Sequence, residues 1–362
     1  MNFFERKNCV ICLENQLLPF KTFTGFPIKC IHDENDVDIS WNLIIGRCEY
    51  CGSVQQLNML NPSIMYGGKY PLDTTHSPMW KRHHESFASF ITKNVPNHLP
   101  IIEIGSSSGI LVEKLFNRYS DYTIFDFSLD SVIRKNTLKY IEGNCETYAF
   151  PQDCAIVMSH VLEHLFEPTR FLHNCSQNKV NTIIISIPTM EDTNRVHLTR
   201  EHTFMYNHDD ILYLFNKYGY HATSFQEDEF SLFYCFTLTA NLVPHERKIT
   251  PDRYLASQKY FNKTFEIPEN SFLVGAGFWS QILYNSIVNK ENVIGVLDND
   301  STKQGRQYFQ TSFIIKPFVS LQAYSENTNV LVIKNKYWTN EIVDLIKKIN
   351  KNINIFFIDY DT

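Results

Sequence analysis

The sequence predicts an α/β protein in three modules: a small N-terminal module, a doubly wound parallel sheet, and a second, smaller α/β unit. Three observations predict it. First, short apolar runs alternate with amphipathic stretches through "IIEIGSSSGILVEKLFNRY", "DYTIFDFS", "CAIVMSH" and "TIIISIP", which is the rhythm of strands joined by helical crossovers. Second, two C-x-x-C pairs precede that region. Third, "SFLVGAGFWSQILYNSI", "NVIGVLDND", "NVLVI" and "INIFFID" begin a strand and helix pattern again near the end. A chain of 362 residues is also more than one comfortable core.

Cys9 and Cys12 form the first pair and Cys48 and Cys51 the second, 35 residues further on. This spacing lets two thiolates converge on one tetrahedral ion, and two such knuckles complete its shell. Gly52 follows the last cysteine, where a tight turn needs it. The stretch "MNFFERKNCVIC" is interrupted by charge and predicts no secretory signal. The thiols are therefore expected in a reducing cytoplasm, where disulfides are disfavoured. Thioredoxin-like chemistry would want one C-x-x-C heading a helix. Four thiolates leave no open position, so the expected metal is a structural Zn2+ stapling about seventy residues that cannot bury much core. Cys30, between the pairs, reads as a buried core thiol.

The turn-rich "NMLNPSIMYGGKYPLD" ends that module near residue 70. "SPMWKRHHESFASFITKNV" predicts a helix with Ser77 as cap and Pro78 in the first turn. Trp80, His83 and His84, with Tyr70 upstream, lie on a segment that could close over a ligand; a helix face of mixed polarity explains them equally well. In "IIEIGSSSG", Glu103 closes a strand, Gly105 permits a tight turn and Gly109 begins a helix. Such a loop lets backbone amides approach a ligand closely. No Gly-Lys-Ser/Thr follows, and E-x-G-x-x-x-G is not G-x-G-x-x-G. Asp126, ending the next strand, stands where an acid takes both hydroxyls of a ribose. With "SHVLEHL" after the third strand, the set suits a nucleoside ligand without phosphates.

A composition shift near "NLVPHERKITPDRYLASQ" predicts a boundary, dividing the chain into 1–70, 71–245 and 246–362. In the last part Gly275 and Gly277 follow a strand and Asp298 ends the next, which invites a NAD reading. Ser280 takes the third glycine's place, and the expected role is a scaffold without redox chemistry.

The segments "EIGSSSG" and "SHVLEHL" resemble the first motif and the post-third-strand signature of class I S-adenosylmethionine-dependent methyltransferases. That resemblance implies S-adenosylmethionine as cofactor, bound around Glu103, Gly105, Ser106, Gly109 and Ser159, with Asp126 on the ribose. The module order, from "CVIC … CEYC" to "FLVGAGFWSQILYN … VIGVLDNDSTKQGR", resembles sugar methyltransferases that include the C-3 methyltransferases of deoxysugar biosynthesis, over nearly the whole chain. It implies a nucleotide-linked sugar as substrate, methylated at a carbon beside a keto group or at a hydroxyl, in surface-glycan or natural-product sugar assembly. It also implies the zinc domain and a Rossmann-like C-terminal domain.

In "VHLTREHTFMYN", Glu201 and His202 match that family's Glu-His, and Phe204 and Tyr206 lie in its aromatic stretch. Thr199 stands where the carbon-methylating members have tyrosine. A sugar hydroxyl, or a carbon beside a ketone, is a poor nucleophile until its proton leaves. A base with a pKa near about 6.5 takes that proton near neutral pH, so His202 is the candidate base and Glu201 its orienter or a sugar ligand. A loop histidine capping a carbonyl is the bland alternative. His160 and His164 flank Glu163 in an H-x-x-E-H that invites a metal reading. The run continues the methyltransferase pattern, and a structural or cofactor-adjacent role is expected.

A formal charge of −6 provides no basic field, so no nucleic-acid partner is expected. No apolar run approaches the roughly 20 residues that cross a bilayer, so neither is membrane insertion. The alternatives are methylation of another small molecule, or a non-catalytic carbohydrate-binding or assembly protein on this fold. Intact Glu103, Gly105, Gly109 and Asp126 count against the second.

Overall fold

The computed structural model describes residues 3–32, 39–65, 78–106, 109–129, 138–189, 200–240, 261–334 and 338–360. Tyr70, Ser77 and Thr199 lie outside the described residues. The described chain falls into two compact units, one drawn from Met1–Leu18, Gly46–Asp192 and Glu201–Pro251, the other from Pro19–Ile45, Thr193–Arg200 and Asp252–Thr362. No helix among the described residues is long and apolar enough to cross a membrane.

The first unit begins with short strands around the cysteines. Strand β1 (Phe3–Glu5) leads to β2 (Leu17–Pro27), which leaves the unit at Leu18; β3 (Ser40–Cys48) re-enters it at Gly46 and delivers Cys48. Strands β4 (Val54–Gln56) and β5 (Asn58–Leu60) follow, with β2, β3 and β4 in one sheet and β1 pairing antiparallel with β5.

Its main sheet is entered by helix α1 (Pro78–Asn94), whose Phe87, Phe90 and Ile91 pack on Leu111, Val112 and Leu115 of α2 (Ile110–Leu115). The strands are β6 (Ile101–Ile104), β7 (Tyr122–Asp126), β8 (Lys139–Glu142), β9 (Ala155–Ser159), β10 (Thr182–Pro188), β11 (Tyr220–Glu227) and β12 (Ser231–Leu238). Helices α3 (Pro168–Gln177) and α4 (His208–Asn216) complete the unit. Proline in the first turn starts α3, and a reciprocal Asn207–Asp210 capping box starts α4. Every residue of β10 is buried, and so are the first four of β9, as strands covered on both faces require.

The strand order is β11-β12-β10-β9-β6-β7-β8, and β12 alone runs against its neighbours. That is a doubly wound sheet, the architecture that the methyltransferase resemblance implies. Its order reverses between β6 and β9, and ligands of open α/β sheets bind at the carboxyl ends of strands beside such a switch.

The second unit carries a five-stranded parallel sheet in the order β15-β14-β13-β16-β17, built from β13 (Ser271–Val274), β14 (Val293–Leu297), β15 (Ile315–Lys316), β16 (Asn329–Ile333) and β17 (Asn354–Ile358). Helices α5 (Phe278–Ser286) and α6 (Thr339–Ile349) pack on it. The segment Pro19–Ile45 groups with this unit through its aromatics: Phe26 stacks on Phe278 at 5.9 Å, Phe23 meets Phe261 edge-on at 5.6 Å, and buried Cys30 lends its carbonyl to the Phe309 amide at 3.1 Å. The acid in the ribose position of a NAD site is engaged locally. Asp298 accepts from the Ala276 amide at 2.7 Å, the Asp300 amide at 2.8 Å and Lys303 Nζ at 3.1 Å, while Ser280 Oγ lies 2.6 Å from the Tyr308 hydroxyl.

Candidate functional site

The carboxyl ends of β6, β7, β9 and β10 gather the polar residues of the first unit. After β6 the chain turns at Gly105 with φ +74°, and a methyl group there would come within 2.6 Å of Val161 Cγ2. Both the left-handed backbone and the close approach therefore demand glycine. Gly105→Ala should destabilise the protein by about 2–3 kcal/mol, read as a lowered denaturant midpoint; an unchanged midpoint would mean that the Val161 loop yields freely. Gly109, at φ 73°, precedes α2. The amides of Gly105 and Gly109 bond to the Phe125 and Ser106 carbonyls at 3.0 and 2.9 Å, so these glycines shape the loop while their donors stay inside the protein. Ser106 is buried in that loop.

Glu103 is buried, and burial pushes its carboxyl up to about 7 against the Tyr122 hydroxyl, which donates to it at 2.5 Å. Asp126 sits half-buried at the end of β7, where burial raises it to about 6. It receives the Ser128 amide at a long 3.3 Å. Its carboxylate keeps acceptor capacity for two hydroxyls, which is what a ribose at this strand end would need.

On the other side of the switch, β9 ends at Ser159, and His160 follows in the left-handed region at φ 54°. A bulky residue there marks a constrained turn. It places His160 Nε2 2.8 Å from Ser231 Oγ and Nδ1 3.5 Å from Glu163 Oε1. Helix α1 adds His83, whose Nε2 lies 3.3 Å from Ser159 Oγ and 3.4 Å from Ser186 Oγ, with Nδ1 3.6 Å from Asp228. His84 donates to the Trp80 carbonyl at 2.7 Å, and Trp80 packs edge-on against His83 and His160 at 5.3 and 4.9 Å. Burial lowers His83, takes His84 to about 4, and holds His160 well below the usual histidine range. Burial thus disfavours the charged form throughout this cluster.

The Glu-His segment reaches the same cluster. The Thr203 amide donates to the Glu163 carbonyl at 2.9 Å and its hydroxyl to the Leu165 carbonyl at 2.5 Å. That docking sets the His202 ring beside His164, with centroids 5.2 Å apart. Ligand atoms of Glu163, His164 and His202 all lie within 4.8 Å of one another. Glu201 is buried, as are Phe204 and Tyr206; the Tyr206 hydroxyl donates to the Pro188 carbonyl at 3.2 Å, which makes these aromatics anchors of the segment. Sequence reasoning paired His202 with Glu201 and set Glu163 aside. Glu163 is fully buried, burial pushes it up to about 8, and neither carboxylate oxygen has a hydrogen-bond partner among the described residues.

The four cysteines converge. Cys9 and Cys51 sulfurs lie 3.5 Å apart, as do those of Cys12 and Cys48, and all four fall within 4.8 Å. A tetrahedral zinc with bonds of about 2.3 Å spaces its sulfurs by about 3.8 Å, so the set fits the ion. None of the nine cysteines is in a disulfide. Gln55 backs the cluster, donating to Cys9 Sγ at 3.2 Å and accepting the Val10 amide at 3.1 Å. The same strand runs beside the Glu-His segment. The Gln56 amide donates to the Thr203 carbonyl and the Met205 amide to the Val54 carbonyl, both at 2.8 Å, and Gln56 Nε2 reaches the His202 carbonyl at 2.9 Å. Buried Arg6 adds bonds to the Thr203 and Phe166 carbonyls, each 2.7 Å. The cysteine module is thus the wall against which the His202 backbone is hung.

No family model matches the chain, and no curated protein matches it. Among solved structures it is similar to the magnesium protoporphyrin IX methyltransferase of Synechocystis PCC 6803 with bound SAH, at 13% identity over 48% of this chain and 90% of that one, with a TM-score of 0.38. The methyltransferase domain of bacterial CtHen1-C is 17% identical over 45% of this chain and 100% of that one, TM-score 0.37. An S-adenosylmethionine-dependent methyltransferase of Mesorhizobium loti is 11% identical over 42% and 99%, TM-score 0.36. At such values the fold rests on the chain's own strand order and pairing.

Proposed function

We propose that the protein transfers a methyl group from S-adenosylmethionine to a nucleotide-linked sugar. The observation that carries the reaction is the convergence, at one switch point, of a ribose-competent acid (Asp126), a glycine-shaped loop (Gly105) and a polar cluster ending in His202. The bound sulfonium supplies an electrophilic methyl group. What the chain supplies is position and a path for a proton. Asp126 and the loop of Ser106 hold the cofactor from one side and Ser159 from the other, while the histidine cluster behind Ser159 faces the acceptor. His202 activates the acceptor by taking its proton, an effect typically of about 10²–10⁴-fold, and Glu201 orients the ring or binds a sugar hydroxyl. The sugar itself is supported by module order: knuckle cysteines, methyltransferase sheet, then a second parallel α/β sheet, which resembles the deoxysugar methyltransferases. The family likeness favours a carbon acceptor, and Thr199 in place of tyrosine leaves room for oxygen. The division at 1–70, 71–245 and 246–362 and a cytoplasmic location belong to the same proposal.

Equilibrium titration with S-adenosylmethionine tests the cofactor half. Asp126→Ala should weaken binding by about 10-fold or more, since two hydroxyls lose a charged acceptor. Because this carboxyl titrates near about 6 and only its ionised form accepts from both hydroxyls, wild-type affinity should fall as pH drops through that value and level off above it. Unchanged affinity in the variant would place the ribose elsewhere.

A further inference from the structure

We propose that Glu163, His164 and His202 bind a divalent cation. Their ligand atoms converge within 4.8 Å, and an ion with bonds of about 2.1 Å spaces its ligands by about 3–3.5 Å, a closure that small side-chain rotations supply. The decisive group is Glu163. Its carboxylate is fully buried and neither oxygen has a hydrogen-bond partner among the described residues; His160 Nδ1 stands 3.5 Å from Oε1. A buried carboxyl left in that state is costly unless it is paired or coordinated. His164 comes from the same turn, and His202 is brought to it from 38 residues away by the Thr203–Glu163 backbone bond. Two imidazoles and one carboxylate suit a borderline or moderately hard ion such as Mn2+ or Zn2+. Three protein ligands leave positions open, as in catalytic and not structural metal sites.

The inference deepens the proposed function at the acceptor side. Glu163, His164 and His202 would hold an ion that would polarise the acceptor oxygen, whether hydroxyl or keto group, and would make its proton, or that of the adjacent carbon, easier to lose. His202 would then be a ligand of the ion, and the proton released from the acceptor would pass to solvent. Without the ion, the same ring is the base described above.

Mn2+ is the probe, because it disfavours thiolates and leaves the cysteine cluster undisturbed. Titrated with the protein as purified, about one equivalent should vanish from the free-ion EPR signal. Glu163→Gln, which keeps shape and removes charge, should weaken binding by about 100-fold. His202→Ala, at a half-exposed side chain, should do the same if the first variant folds poorly. Mn2+ left in the free signal, or equal binding in wild type and both variants, overturns the cation site. Either result leaves methyl transfer standing with His202 as base, whereas Mn2+ binding without S-adenosylmethionine binding would sink the function and keep the site.

Discussion

Replacing His202 with alanine should lower methyl transfer by about 10²–10⁴-fold while S-adenosylmethionine affinity stays within about twofold of wild type. The two effects separate because the ring lies beside His164 and Glu163, on the β9 side of the switch, whereas Asp126 and the Gly105 loop lie on the β6–β7 side. The segment should also keep its place without the ring. Its backbone is held by Thr203 to Glu163, Gln56 to Thr203 and Met205 to Val54, and none of these bonds uses the imidazole. Single-turnover rates with saturating cofactor, measured alongside a binding titration, check the split. Cofactor binding that collapses with turnover would move His202 out of the acceptor site.

Breaking the four-cysteine set should have the larger consequence for the protein as a whole. Cys48→Ser breaks the tetrahedral set, and structural zinc in small modules supplies on the order of 10 kcal/mol of folding free energy. The variant should lose zinc, melt well below wild type and lose turnover together. Turnover falls because strand β4 sits between the cysteines and the Glu-His segment: Gln55 touches Cys9 Sγ and Gln56 holds both Thr203 and the His202 carbonyl. The variant is a cleaner test than a chelator, which would also strip an ion from Glu163. Zinc content by mass spectrometry, with melting and rate on the same sample, decides it. A zinc-free protein with wild-type melting and turnover would contradict the stapling role.

Much of the frame was legible because its signals are local. The apolar runs at Ile101–Ile104, Tyr122–Asp126, Ala155–Ser159 and Thr182–Pro188 are strands, and residues 208–216 are the helix expected from their period. The antiparallel pair β11 and β12 was not foreseen. It breaks the strand–helix alternation, and β11 buries only Tyr220, its remaining residues being partly or fully exposed, so no clean apolar run announces β11, and the apolar run of β12 stood without a partner to pair it with. The short β8 was hidden likewise by half-exposed residues. Residues 19–45 gave no sign of their destination either. Phe23, Phe26 and Trp41 are too many aromatics for a cysteine knuckle, and they group with the C-terminal sheet.

At the site, sequence anticipated features set by neighbours in the chain: the convergence of the four cysteines, the tight turn at Gly105, and Asp126 at a strand end. It missed the company His202 keeps. That depends on a long-range backbone bond from Thr203 to Glu163 and on β4 lying alongside, and neither is encoded by spacing. The H-x-x-E-H run was the available signal for Glu163; what it lacked was any hint that the carboxylate would be buried without a partner. His83 was legible only as half of a helix face, yet it meets Ser159 of β9, Ser186 of β10 and Asp228 in the turn between β11 and β12.

The most direct test of the central claim is mass spectrometry of reactions containing methyl-labelled S-adenosylmethionine and a panel of nucleotide sugars with and without a 4-keto group. The account predicts one labelled methyl on the sugar part of at least one member; transfer confined to keto sugars would assign the acceptor to carbon, and transfer to others would assign it to a hydroxyl. Tight cofactor binding with no labelled sugar across the panel would contradict the nucleotide-sugar assignment, and absence of cofactor binding would contradict methyl transfer itself.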